Sequence, residues 1–309
     1  MSKKTALKIG FGLILTAVIL WYSIRSLGGL HVERLHGMRI RWGYAVLSVL
    51  IFTYANYIRA LAYTRGIDPL IGRLTAFRIV GIGHAANMVL PMHAGEGLRM
   101  LFFPPEYSVV RRTELLAVPG AADFVAIILL SLFSVPFAGF TDPRLLRALW
   151  IITALCLLAA ALAGLAVRLV PRLRRYVQKY RGPGTVKMMG WVMLSWVLML
   201  ASTWAGLAAA GFPLLRAARM SLAMFAATNI INFIPASPGG LGLFEYGTIL
   251  GLGQVGVARG PALMAALLLH AIQYVALLPM GAALYVSALH GRYGEALHHG
   301  AHKATAARR

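Results

Sequence analysis

Six stretches of this chain are apolar for long enough to cross a lipid bilayer, and a soluble fold of 309 residues has no room to hide them. They run from about Ile9 to Ile24, Tyr44 to Tyr63, Leu115 to Phe137, Leu145 to Val167, Met188 to Ala210 and Pro261 to Leu289. A helix needs about 20 such residues to span the hydrocarbon. Water is absent there, so each segment must satisfy its own backbone polar groups, and a helix does so. Only 13% of the residues are charged, about half the share usual in soluble domains. The expected fold is all-α, a polytopic helical membrane protein.

Two further apolar segments do not run to completion. Leu74 to Leu90 meets Pro91, Gly95, Glu96 and Gly97, and Leu214 to Ile234 breaks at Pro235. Proline removes a backbone donor and glycine relaxes the backbone, so both helices stop at membrane depth. The charge pattern says how they are placed. Lys3, Lys4 and Lys8 precede the first span, and Arg168, Arg172, Arg174, Arg175, Lys179, Arg181 and Lys187 crowd one loop. Basic segments mark the cytoplasmic side, so an even number of crossings separates these two. Five apolar segments lie between them, and one must turn back. The segment broken at Pro91 is read as a re-entrant hairpin from the cytoplasm, and the one broken at Pro235 as a hairpin from the outer side. Arg34, Arg39 and Arg41 then fall outside, against the charge rule.

The expected plan is six full spans plus two re-entrant broken-helix hairpins. Both termini are cytoplasmic, and the first span is a retained signal anchor closed by Trp21, Tyr22 and Arg25. Pro91 and Pro235 are 144 positions apart, as are Gly95 and Gly239. The chain to residue 290 thus reads as a single transmembrane domain made of an inverted repeat, with halves at about 1–140 and 141–290. Residues 291–309 form a basic cytoplasmic tail expected to lack regular structure.

A net charge of +21 would suggest nucleic acid on a soluble chain. Here the basic residues flank apolar spans, which points to topology and to anionic membrane lipids instead. Cys156 stands alone within an apolar run and has no disulfide or metal-ligand partner spacing around it. No cofactor motif is present.

Two constellations could carry function. The first is Asn87, Pro91, His93, Gly95, Glu96, Gly97 and Arg99. Glu96 and Arg99 would share one face of a following helix. Either they neutralise each other, or Arg99 meets an anionic headgroup while Glu96 orients it. The second is Asn229, Asn232, Pro235, Ser237, Pro238, Gly239, Gly240, Gly242 and Glu245. A helix restarting near Gly240 would aim free N–H groups at the break and favour an anion there, with Ser237 as its cap. Ionisable Arg59, Arg78, His84, Asp123 and His270 sit in or near apolar segments, with Gln273, and are weaker candidates. His270 reads more as a helix-packing hydrogen bonder than as a proton relay.

Asn-x-x-Leu-Pro, then Gly-Glu-x-x-Arg, then Pro-x-x-Pro-Gly-Gly-Leu-Gly-x-x-Glu resembles the lysylphosphatidylglycerol synthase transmembrane, or flippase-like, family, from about Leu7 to Leu289. The resemblance implies a membrane part that moves or presents lipids, without a soluble synthase domain and without lysyl transfer. It also implies the plasma (inner) membrane of a bacterium. By motif position, Asn87, Pro91, Gly95, Glu96, Arg99, Pro235, Pro238, Gly239, Gly240, Gly242 and Glu245 carry over. His93 departs from the arginine of relatives. Asp123 lacks the basic partner a few residues upstream, leaving its ion pair in doubt.

The resulting expectation is a lipid or lipid-linked-intermediate translocase. An anionic phospholipid or lipid-linked substrate would bind between the hairpins at Asn87, Pro91, Gly95, Glu96, Arg99, Asn232, Pro235, Ser237, Pro238, Gly239, Gly240, Gly242 and Glu245. No nucleic acid, metal or cofactor is expected. One alternative is a membrane enzyme using Glu96 and Glu245 as an acid/base pair, if they converge. The other is a non-transporting partner of a lipid-modifying enzyme.

Overall fold

A computed structural model describes residues 39–306 except 91–93, 141, 181 and 232–237, without the side chains of 145, 148, 149, 156, 173, 176, 230, 238 and 290–306. The first expected span, Pro91, His93, Asn232, Pro235, Ser237 and the Cys156 side chain lie outside what is described.

Every regular element among the described residues is helical. We label the α-helices α1 (Trp42–Ala62), α2 (Arg73–Val89), α3 (Gly95–Arg99), α4 (Val109–Ala138), α5 (Pro143–Leu169), α6 (Pro171–Gln178), α7 (Pro183–Ala209), α8 (Leu214–Ile231), α9 (Leu243–Gln254) and α10 (Arg259–Ala306). Among the described residues, five helical stretches are long and apolar enough to cross a membrane: Trp42–Ile67, Val109–Ala138, Trp150–Leu169, Pro183–Ala209 and Arg259–Leu289. They coincide with five of the six expected spans. The two interrupted segments form α2 followed by α3, and α8 followed by α9.

The helices outrun the apolar stretches because local capping, not hydropathy, sets their ends. The Ser108 hydroxyl accepts from the Arg111 N–H at 3.2 Å, and α4 begins six residues before Leu115. Asp142 accepts from the Arg144 N–H at 2.7 Å and opens α5. The basic loop holds its own short helix, α6. The tail expectation is corrected as well: α10 stays helical to Ala306. Residues 291–306 include Ala296, Leu297, Ala301, Ala304 and Ala306, and alanine and leucine have high intrinsic helix propensity.

Small residues let the spans approach closely, as membrane helices must without a hydrophobic drive between them. The α1–α7 pair shows this along its length. Ser48 donates to the Ser202 carbonyl at 2.7 Å, and Ser202 returns the bond to the Ser48 carbonyl at 2.9 Å. At one end the Arg41 N–H donates to the Ala209 carbonyl at 2.9 Å. At the other, in the π-helical turn Tyr63–Ile67 that continues α1, a Cβ on Gly66 would sit 2.4 Å from that of Met188. The pair is therefore antiparallel. On α10, a Cβ at Gly281 would meet that of Ala85 at 2.1 Å, so α2 also lies against its neighbour at backbone distance.

The packing has a recurrent order. α1 packs on α2, and α7 on α8; α4 packs on α8, and α10 on α2; α4 also packs on α7, and α10 on α1. Each interrupted helix is thus held between the span before it and a span from the other half of the chain.

Candidate functional site

At the first interruption, Asn87 in the last turn of α2 reaches across the gap. Its carbonyl oxygen accepts from the Gly95 N–H at 2.8 Å, and its amide donates to Glu96 Oε1 at 3.1 Å. Gly95 is required there, because a Cβ would lie 2.3 Å from the Gly83 carbonyl oxygen. Glu96 Oε2 then accepts from Arg99 Nη1 at 2.7 Å. The expected pairing of Glu96 with Arg99 is formed, but the two ends are unequal. The Arg99 side chain is 7% exposed and that of Glu96 45%.

Arg99 lies over Gly83, where any Cβ would stand 2.0 Å from Nε. Its Nε and Nη2 are buried and make no hydrogen bond of ordinary geometry among the described residues, with the Tyr63 hydroxyl standing beside the guanidinium. These two nitrogens form one edge of the guanidinium, a fork suited to two oxygens of a phosphate or carboxylate.

At the second interruption, Gly239, Gly240 and Gly242 take φ of 59°, 72° and 85°, a left-handed backbone that glycine adopts without strain. The turn Pro238–Gly240 occupies this stretch, so α9 starts at Leu243, three residues beyond the expected restart near Gly240. Its cap is Glu245, whose Oε2 accepts from the Gly242 N–H at 2.7 Å. Glu245 Oε1 lies 2.5 Å from His270 Nδ1 on α10, and His270 Nε2 lies 3.1 Å from the Gly239 carbonyl oxygen. Both side chains are almost fully buried.

The interruptions meet. The Tyr274 hydroxyl donates to the Met88 carbonyl at 3.2 Å, and a Cβ on Gly239 would fall 3.1 Å from that same oxygen. Asn87, Gly95, Glu96 and Arg99 therefore share one neighbourhood with Gly239. Gly83 and Met88 are five residues apart on α2, about 7.5 Å along its axis. Glu96 and Glu245 each bond to partners at their own interruption, and no hydrogen bond joins them among the described residues.

Two further polar clusters tie helices of the bundle together. Asp123 on α4 does have a basic partner: the buried Arg59 of α1, which forms an ion pair with the half-buried carboxylate. Trp196 Nε1 on α7 donates to the same carboxylate at 2.6 Å. The doubt over Asp123 is removed, since the partner comes from another helix, 64 positions earlier. At one end of the bundle, Arg111 bridges Asp68 and Glu114 at 2.8 Å each, and Lys179 Nζ reaches Glu114 at 3.0 Å. Tyr107 donates to Asp68 Oδ2 at 3.1 Å. Burial, reinforced by that carboxylate, raises its phenol above the ordinary tyrosine value, so it remains a donor at neutral pH. Among the described residues no group of His, Cys, Asp and Glu side chains is placed to hold a metal ion.

The model of the lysylphosphatidylglycerol synthase TM region matches residues 9–281, most of the chain. The chain belongs to that family. No curated protein and no solved structure matches it. Of the positions carried over by resemblance to the family, Asn87, Gly95, Glu96, Arg99, Gly239, Gly242 and Glu245 line the two interruptions or tie them together, and Gly240 shapes the turn between. Tyr274 and Gly83 were not legible as site residues: a tyrosine in an apolar span and a glycine in a helix carry no signal of their own. His270, a weaker candidate, is the side chain that links Glu245 to the turn.

Proposed function

We propose that this family member is a lipid or lipid-linked-intermediate translocase that binds an anionic headgroup between its two interrupted helices. The observation that carries the reading is Arg99. A buried charged donor left unmade costs more than the ~1–3 kcal/mol of a neutral one. Its free edge matches a phosphate or carboxylate. The neighbouring interruption closes over the same helix. Both nitrogens are buried in this arrangement, so a headgroup enters only when the interruptions part.

In this reading the interrupted segments are re-entrant hairpins, and the chain has six spans with both termini in the cytoplasm of a bacterial cell, at its plasma membrane. The recurrent packing order and the antiparallel α1–α7 pair support an inverted repeat with halves at about 1–140 and 141–290. Transporters of that design bind near the midplane and move one half against the other. The acyl or prenyl tail stays in the bilayer while the headgroup crosses. The enzymatic alternative has no observation in its favour, because each glutamate is bound at its own interruption.

The test uses liposomes holding purified protein and an anionic phospholipid labelled on its headgroup, bleached by an impermeant reductant. Bleaching beyond the outer leaflet is expected, and Arg99→Gln should abolish it with helix content and elution unchanged. Full bleaching by Arg99→Gln refutes Arg99 as the binding group. No bleaching beyond the outer leaflet, with either a phospholipid or a polyprenyl phosphate, refutes the translocase.

A further inference from the structure

We propose that Glu245 and His270 form a proton-binding site whose occupancy latches the second interruption against the first. The argument is a count of hydrogens. His270 faces an acceptor on each side, a Glu245 carboxylate oxygen at 2.5 Å and the Gly239 carbonyl oxygen at 3.1 Å. A carbonyl oxygen only accepts, so Nε2 must carry a hydrogen. The short contact at Nδ1 also needs a hydrogen between the two atoms. It belongs either to an imidazolium or to a protonated Glu245, and in both cases the pair holds one proton more than neutral imidazole beside carboxylate. When that proton leaves, a single N–H remains for two acceptors. Either the carboxylate faces the Nδ1 lone pair, or the Gly239 carbonyl faces that of Nε2. The second loss is the cheaper, because the charged acceptor keeps its donor.

Losing the Gly239 contact frees the turn that closes on α2. His270 and Tyr274 lie one turn apart on α10. One holds the Gly239 carbonyl and the other holds the Met88 carbonyl. The closed arrangement therefore takes up a proton, and by linkage closure is favoured at low pH and weakened as pH rises. Among the described residues, few charged groups face the pair. Tyr274 is the titratable neighbour on α10, with its ring 5.1 Å away. From α9 the nearest ring is Phe244, at 4.9 Å, while Tyr246 is exposed. The arginines of α8 are spent elsewhere, Arg216 on the Gly256 carbonyl and Arg219 beside Gly139. On α2, His84 bonds Asn56 of α1. From α7, Leu207 and Gly206 pack without charge.

Proton binding stands on this geometry alone; its use as the coupling ion rests on the proposed function. The experiment is hydrogen exchange of segment 238–254 in the purified full-length chain in micelles, across pH, with rates corrected for intrinsic exchange. The wild type should lose protection by about tenfold in a single step as pH rises, the factor that one hydrogen bond carries. Glu245→Gln and His270→Gln should lack the step, and Tyr274→Phe, which leaves the pair intact, should keep it. A wild type without a step, or the same step in both pair variants, overturns the proton site. Lipid movement is read separately in vesicles with an imposed pH gradient. A protonation step without lipid movement overturns the translocase and leaves the proton site standing. Lipid movement that His270→Gln leaves equally sensitive to the gradient overturns the coupling.

Discussion

The ion pair between Arg59 and Asp123 joins α1 to α4, and Trp196 ties α7 to the same carboxylate, so removing the charge of Asp123 tests three helices at once. In Asp123→Asn the amide can still accept from Trp196, but the Arg59 guanidinium, 7% exposed, loses its counter-charge. Leaving one member of a buried pair alone costs about 3–5 kcal/mol. Asp123 is itself 24% exposed, so water reaches that side and the lower end, about 3 kcal/mol, is expected. Asp123→Ala also strands the Trp196 N–H, adding about 1 kcal/mol. A total near 4 kcal/mol is a large part of a stability of about 5–15 kcal/mol. The double variant Arg59→Leu with Asp123→Leu should recover most of the loss, since apolar replacement of a buried pair is often neutral. The assay is reversible unfolding in mixed micelles by a denaturing detergent, followed by far-ultraviolet circular dichroism. A cost below about 1 kcal/mol for Asp123→Asn, or a double variant as weak as the single, would refute the reasoning.

Gly95 and Gly97 lie two residues apart in α3 and should respond oppositely to alanine. At Gly95 a Cβ would meet the Gly83 carbonyl at 2.3 Å and Asn87 Oδ1 at 2.4 Å, whereas at Gly97 it would meet nothing within 4 Å. Thermal unfolding in micelles should show Gly95→Ala destabilised by about 1–3 kcal/mol and Gly97→Ala unchanged or stabilised by up to ~1 kcal/mol. In the cluster at the end of α4, Arg111 joins two buried carboxylates while the Lys179 side chain is 51% exposed. Arg111→Ala should lower stability by about 2–4 kcal/mol, since it leaves both carboxylates short of a donor. Lys179→Ala should lower it by less than about 1 kcal/mol, and that smaller loss should vanish at high salt.

The sequence made the spans legible because hydropathy and helix length follow from the bilayer itself, and five of the six expected spans coincide with helices. The interruptions were legible from the density of proline and glycine, and Glu96 with Arg99 from a spacing of three. What stayed hidden is pairing between helices. Asp123 and Arg59 are 64 positions apart, and His270 and Glu245 are 25 apart across two elements. Neither separation follows from any local period. The restart of α9 was misplaced for a local reason. Gly239, Gly240 and Gly242 look like a helix end from either side, and only their positive φ values assign all three to the turn. The cap then falls to Glu245, since Gly242 has no side chain to offer.

The two interruptions are built from similar residues and yet are satisfied differently, which bears on how they divide the proposed work. In the second, every bond made by Glu245 and His270 stays within the protein: one carboxylate oxygen takes the Gly242 N–H, the other faces the imidazole, and the far imidazole nitrogen faces Gly239. A headgroup placed there would have to displace a bond already formed. In the first, Asn87 and Glu96 are each bonded by their neighbours, but among the described residues the Nε and Nη2 edge of Arg99 makes no hydrogen bond. A headgroup placed there would gain bonds at that edge without displacing one that the edge makes among the described residues. In the proposed cycle the two sites are filled in turn, the proton at His270 while Gly239 is held against α2 and the phosphate at Arg99 once that contact has opened. In that proposal, release of Gly239 from His270 lets the turn leave Met88 and opens the way to Arg99. On the proposed function, a headgroup entering and a proton leaving are two consequences of the same opening.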